Sequence, residues 1–186
     1  MSIRHETADQ QNRSPNAGKR HPILRWALLF ASTTLLAWSG WQIFTPSPPS
    51  SDVPSLPDLT LEHLNGEPFR LQDATGHPLV VNLWATWCPP CRQELPLLEH
   101  AANTRRGVRF LFIDQGENRD RVQDFLTERE LGLEGVLLDP ESRASQAFQS
   151  KGMPTTLFFN ARGELVATHL GELTEMSLDG YLAQLK

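Results

Sequence analysis

The chain is poor in cysteine: 186 residues carry two, Cys88 and Cys91. A staple-dependent mini-fold needs several disulfide pairs, so that class is excluded. No second Cys or His cluster exists to complete the four ligands of a structural zinc site. No His follows the second cysteine, where Arg92 stands instead, which excludes covalent haem attachment. The C-terminal part has no long run of Lys or Arg, and the net charge is −5. A phosphate backbone needs a cationic face, so the chain is not read as a nucleic-acid binder. There is no internal repeat. The length allows one domain of ordinary composition plus additional segments.

Charge is also missing from Trp26 to Phe44, 19 residues reading WALLFASTTLLAWSGWQIF. As a helix this run spans roughly 29 Å, the hydrocarbon thickness of a bilayer. Arg4, Arg13, Lys19, Arg20 and Arg25 precede it, and no Lys or Arg follows until Arg70. That bias assigns residues 1–25 to a cytoplasmic tail, 26–44 to a transmembrane anchor, and everything after to the far side. A cleaved signal peptide, with Ala37 and Ser39 at an A-x-S spacing, is the alternative. Either way the remainder leaves the cytoplasm. Residues 45–57 contain five Pro and four Ser. They cannot build a core and act as a spacer of up to about 40 Å. A domain is expected over 58–186.

Within it, Asp58–Leu71 alternates around Asn65-Gly66, a hairpin signal. Leu79–Trp84 (LVVNLW) and Val108–Ile113 (VRFLFI) are continuous apolar runs suited to buried strands. A helix is expected from Cys88, with Pro89 at the tolerated first position and a kink at Pro96. Helices are expected over Arg119–Glu130, Ser142–Gln149 and Leu173–Leu185. Strands are expected over Gly135–Leu138, Thr155–Phe159 and Leu165–Thr168. The alternation predicts an α/β domain with a central sheet flanked by helices.

Cys-Pro-Pro-Cys at a strand end and helix start is a redox device. A helix N-terminus offers free N–H groups and partial positive charge, which favour the Cys88 thiolate. Cys91 lies one turn on, placed to close a disulfide with it. Pro89 and Pro90 have no N–H, so two donors to sulfur are missing. The thiolate is left to the amides of Cys91 and Arg92 and to the Cys91 thiol, which predicts a less oxidising couple than a rich donor set would give. A copper(I) site on two thiolates is the non-enzyme alternative. Trp84 is expected in the core and Trp87 at the surface.

The segment WATWCPPCRQELP (Trp84–Pro96) resembles the active-site segment of the extracytoplasmic TlpA/ResA/CcmG group, and GMPTTLFFNARGEL (Gly152–Leu165) resembles that group's second signature. The resemblance implies a thioredoxin-like fold with a mixed sheet, an N-terminal hairpin and a central insertion (about Gln115–Glu141), preceded by one transmembrane helix. It implies that Cys88 is the exposed attacking cysteine and Cys91 the buried resolving one. Pro154 matches a cis-proline facing the disulfide and turning the Met153 backbone toward substrate. Trp87, Pro89 and Pro90 join Met153 and Pro154 as the implied substrate-contacting surface. Asn82 stands where cytosolic thioredoxins carry a buried Asp. Glu94 matches an acidic residue of the ResA-like pattern, a proton acceptor for Cys91; a solvated surface role is the alternative. The expected activity is disulfide exchange outside the cytoplasm of a bacterial cell, run as a reductase by the Cys88/Cys91 pair with no further cofactor and no metal. The implied partners are a disulfide-bearing protein, of cytochrome c maturation or copper-site assembly, and a membrane thiol-reductant relay. Oxidation or isomerisation of secreted proteins is the competing direction.

Overall fold

The computed structural model describes residues 55–185. The tail, the anchor and most of the spacer lie outside the described residues. Among those described, no helix is long and apolar enough to cross a membrane.

The elements follow in chain order. A hairpin is formed by β1 (Thr60–His63) and β2 (Pro68–Arg70), followed by a 3₁₀ turn (Leu71–Ala74). Next come β3 (Leu79–Trp84), α1 (Pro89–Thr104), β4 (Arg109–Gln115), α2 (Arg119–Glu128), β5 (Val136–Asp139) and α3 (Arg143–Ala147). The chain finishes with β6 (Thr155–Phe159), β7 (Leu165–Leu170), α4 (Glu175–Leu182) and a 3₁₀ turn (Ala183–Leu185). The strands form one sheet in the order β2-β1-β5-β4-β3-β6-β7. β3–β4 and β4–β5 pair in parallel, and the remaining pairs are antiparallel. The sheet is therefore mixed.

The hairpin turns where Asn65-Gly66 predicts it: Gly66 has φ +92°, a conformation that a side chain disfavours. Its outcome is the register Thr60↔Arg70 and Leu61↔Phe69. The segment after β4 contributes α2 and β5, and β5 bridges the parallel strands to the hairpin.

Side chains alternate across the central strands and divide the core in two. Val80, Trp84, Phe110, Phe112 and Phe158 face one side, where Leu95 and Leu98 of α1, Val122 and Phe125 of α2 and Leu178 of α4 cover them. Leu79, Val81, Leu83, Leu111, Ile113 and Leu157 face the other, against Leu71, Ala74 and Ala144. This places the C-P-P-C helix on the larger apolar face.

Several boundaries differ from expectation. Leu56 is buried, its amide donates to the Gly163 carbonyl (3.1 Å), and Ser55 bridges Glu164. The end of the Pro/Ser-rich stretch thus belongs to the domain, because a buried Leu and a β-type bond outweigh local composition. Pro96 does lie inside α1, as expected, and it is exposed. α3 spans five residues rather than eight, and Gln149 beyond it has φ +53°.

Candidate functional site

β3 delivers the chain to the site. Its last residue, Trp84, is fully buried, and the turn Ala85–Trp87 leads to Cys88, the N-cap of α1. Pro89 and Pro90 occupy the first two helical positions, where a missing N–H costs nothing. Cys88 and Cys91 are joined by a disulfide with S–S 2.04 Å and Cα–Cα 5.3 Å. The Cys91 amide donates to Cys88 Sγ at 3.3 Å. The Arg92 amide instead donates to the Cys88 carbonyl at 3.1 Å, as the first bond of the helix. Only one of the two expected amides therefore serves the sulfur.

Cys88 is also less open than the resemblance implied: it is 4% exposed, against 0% for Cys91. In the disulfide form both sulfurs are folded into the larger core cluster. The exposed group is Trp87, 58% accessible. Pro89 is exposed and Pro90 half-buried. The Met153–Pro154 peptide bond is cis. The pairing Leu83↔Thr155 puts that bond at the same end of the sheet as the disulfide, and Met153 packs on the cluster holding both cysteines.

Glu94 is not a surface residue. It is 1% exposed. Cys91, Glu94, Leu95 and Leu98 are all buried, so Glu94 lies on the face of α1 that meets the sheet. Residues three apart on a helix have Cβ atoms about 5–6 Å apart, which makes Glu94 the neighbour of Cys91. Its Oε1 accepts from Asn82 Nδ2 (2.7 Å) and its Oε2 from the Leu173 amide (2.8 Å). Asn82 Nδ2 also donates to Thr156 Oγ1 at 3.0 Å. Burial pushes the Glu94 carboxyl up to about 7; the two hydrogen bonds oppose that rise, and the charge of Glu172 adds to it. A carboxyl poised near neutrality can take or give a proton at ordinary pH. The loss of an acid at position 82 is thus met by an acid from the helix, held by the Asn that stands there.

A second acidic group closes the other side. Glu117 accepts from the Thr86 amide and from the Thr86 hydroxyl, both at 2.6 Å. Arg121 Nε donates to the same hydroxyl at 3.2 Å. Asp114, fully buried at the end of β4, lies beside Glu117. Sequence reading singled out none of Thr86, Asp114 and Glu117. Their one signal is the parallel alignment of two strand ends, which a sequence does not display.

A family model described as Redoxin matches residues 52–185. The chain belongs to the Redoxin family. Among curated redoxin-like relatives, the thiol-disulfide oxidoreductase ResA of Bacillus subtilis is 26% identical over 171 residues, covering 90% of this chain and 95% of ResA. The thioredoxin-like protein YneN of the same species is 28% identical over 165 residues, covering 84% and 96%. Among solved structures, a DsbE-type thiol:disulfide interchange protein from Chlorobium tepidum superposes with a TM-score of 0.64 at 26% identity, over 71% of this chain and 96% of its own. A secreted Mycobacterium tuberculosis disulfide oxidoreductase homologous to Escherichia coli DsbE gives 0.60 at 26%, over 68% and 95%. This redoxin is a thiol–disulfide oxidoreductase of the ResA/CcmG type, with a thioredoxin-like fold.

Proposed function

We propose that this oxidoreductase acts as a reductase of protein disulfides outside the cytoplasm, with Cys88 attacking and Cys91 resolving. The observation that carries the reading is the placement of Cys88 at the helix N-cap with Cys91 completely enclosed behind it. The Cys88 thiolate attacks one sulfur of a substrate disulfide; a mixed disulfide forms and one substrate thiolate leaves. Glu94 accepts the proton of Cys91. The Cys91 thiolate then attacks Cys88 Sγ, the second substrate thiolate leaves, and the Cys88–Cys91 bond closes. Two electrons pass to the substrate, whose thiolates take up protons. Trp87, Pro89, Pro90 and Met153 form the surface that receives the substrate chain, and Pro154, itself buried, supports the Met153 turn beneath it.

The direction rests on the donor set. A thiolate held by few N–H groups is a weaker oxidant than one held by many, and in the disulfide form, among the described residues, the Cys91 amide alone bonds to Cys88 Sγ. Residues 26–44 supply the anchor and 45–54 a tether from a bacterial cytoplasmic membrane. A membrane thiol-reductant relay regenerates the dithiol. The substrate belongs to cytochrome c maturation or to copper-site assembly.

The resting redox state tests the direction. Cells quenched in acid and treated with a thiol-alkylating mass tag should yield the protein mostly as the doubly modified dithiol. A population that is mostly unmodified disulfide would establish an oxidant instead.

A further inference from the structure

The mechanism above leaves the buried acid Asp114 unused. Asp114 is fully enclosed, on the sheet face that also carries Trp84 and the disulfide helix. Among the described residues no donor stands at full hydrogen-bonding geometry to either of its oxygens, and the amide that approaches them is that of Glu117. An ionised carboxylate in that position would be costly, whereas a carboxylic acid has a proton to donate. The acceptor beside it is Glu117, three residues on.

Each Glu117 oxygen already holds one donor and keeps a lone pair free. The carboxylate receives the Thr86 amide and hydroxyl at 2.6 Å each, and Arg121 Nε approaches its Oε1 at 3.7 Å. The surrounding frame is tied together by strand pairing and hydrogen bonds. Trp84 pairs with Asp114 across the parallel strands, so Thr86 and Glu117 begin the two loops at the same sheet end. The Gly116 amide donates to the Asp139 carbonyl (3.0 Å), and Asn118 caps α2 through the Arg121 amide (2.9 Å). The other charges near the pair are accounted for. Asp139 of β5 takes the Arg143 and Ala144 amides and lies 3.9 Å from Arg143 Nε of α3. Arg92 and Arg129 cover the Phe125 ring.

We propose that Asp114 is a positioning residue: as a neutral acid it donates to Glu117, and Glu117 in turn holds the Thr86–Cys88 segment by two bonds to Thr86. Burial, then the Glu117 carboxyl, raises the Asp114 carboxyl to about 8; the Glu117 amide opposes that rise and the charge of Asp139 adds to it, and the bridge is intact at neutral pH. In more alkaline solution two adjacent anions share the single cation Arg121, Thr86 is released, and Cys88 loses its fixed approach to substrate. The functional half of this proposal rests on Cys88 being the attacking thiol; the structural half does not.

The test is a pH titration of the backbone amide resonances of the oxidised protein, in which neither cysteine ionises. The Thr86 amide should shift with a midpoint near pH 8 in the wild type. Asp114→Asn, neutral at every pH and still a donor to Glu117, should abolish that titration. A Thr86 amide that does not move, or that moves with the same midpoint in Asp114→Asn, overturns the bridge. Should Asp114→Asn not fold, the carboxyl carbon resonance of Asp114 in the wild type decides: a midpoint in the ordinary range, about 4, overturns it equally. For function, the wild-type rate of disulfide exchange should fall above pH 8, and that of Asp114→Asn should show no such fall. Parallel profiles would remove Asp114 from the positioning of Cys88 and leave the assignment of the attacking sulfur untouched.

Discussion

At the scale of single residues, the site turns on where its carboxyls stand. Glu94 looked equally suited to solvent or to chemistry, because a Glu in a helix is ordinarily exposed. The clue was positional: Cys91, Leu95 and Leu98 mark the buried face of α1, and Glu94 falls on it. What could not be read was its pair of partners, Asn82 and the Leu173 amide, which lie 12 and 79 residues away in sequence. With the carboxyl raised to about 7, its basic form gains population as pH rises through neutrality. Wild-type resolution of a mixed disulfide should therefore accelerate through that range. Glu94→Gln should lose the inflection and resolve about tenfold or more slowly, the scale of a positioned general base. Stopped-flow pH–rate profiles with thermal melts as folding control make the comparison. Superimposable profiles would strip Glu94 of its proton-transfer role.

At the scale of elements, apolar runs and turn signals were enough to place most of the fold. LVVNLW and VRFLFI became β3 and β4, and Asn65-Gly66 turned the hairpin. The edges were harder to place. β4 runs on to Gln115 because Asp114 and Gln115 pair with β5, a tertiary gain that no local pattern reports. The same junction supplies a test of the insertion. Gly135 opens β5 with φ +76°, and a Cβ there would stand 2.6 Å from the Phe110 carbonyl oxygen. Gly135→Ala combines backbone strain with a clash against backbone, which cannot swing aside. It should cost about 2–4 kcal/mol in denaturant unfolding. A loss under about 0.5 kcal/mol, the range of ordinary surface changes, would show that this strand start is not tightly fitted.

At the scale of the whole molecule, two buried acids tie stability to pH. The folded state keeps a proton on Glu94 to about pH 7 and on Asp114 to about pH 8. The unfolded chain releases both near pH 4 to 4.5, at the ordinary values of about 3.9 and 4.3. Folding therefore takes up protons between these limits. The stabilisation from the two acids is complete below the unfolded values and is lost as pH rises through the folded ones. Compared with the double variant Glu94→Gln/Asp114→Asn, the oxidised wild type should lose stability progressively from about pH 5 to 8. Equal slopes in urea unfolding series would mean that neither acid is held protonated.

The same scale joins the sequence motifs into one machine. C-P-P-C and Gly152-Met153-Pro154 lie 61 residues apart from Cys91 to Gly152 in the chain, yet both meet at one end of the sheet through the pairing of β3 with β6. The mechanism requires that the sulfurs act in a fixed order, Cys88 before Cys91. Cys91→Ser, reduced and mixed with a disulfide-bearing protein substrate, should accumulate a mixed disulfide. Mass spectrometry of its proteolytic fragments should place that bond at Cys88, and Cys88→Ser should accumulate none. An adduct at Cys91 of Cys88→Ser, with none at Cys88 of Cys91→Ser, would contradict that order.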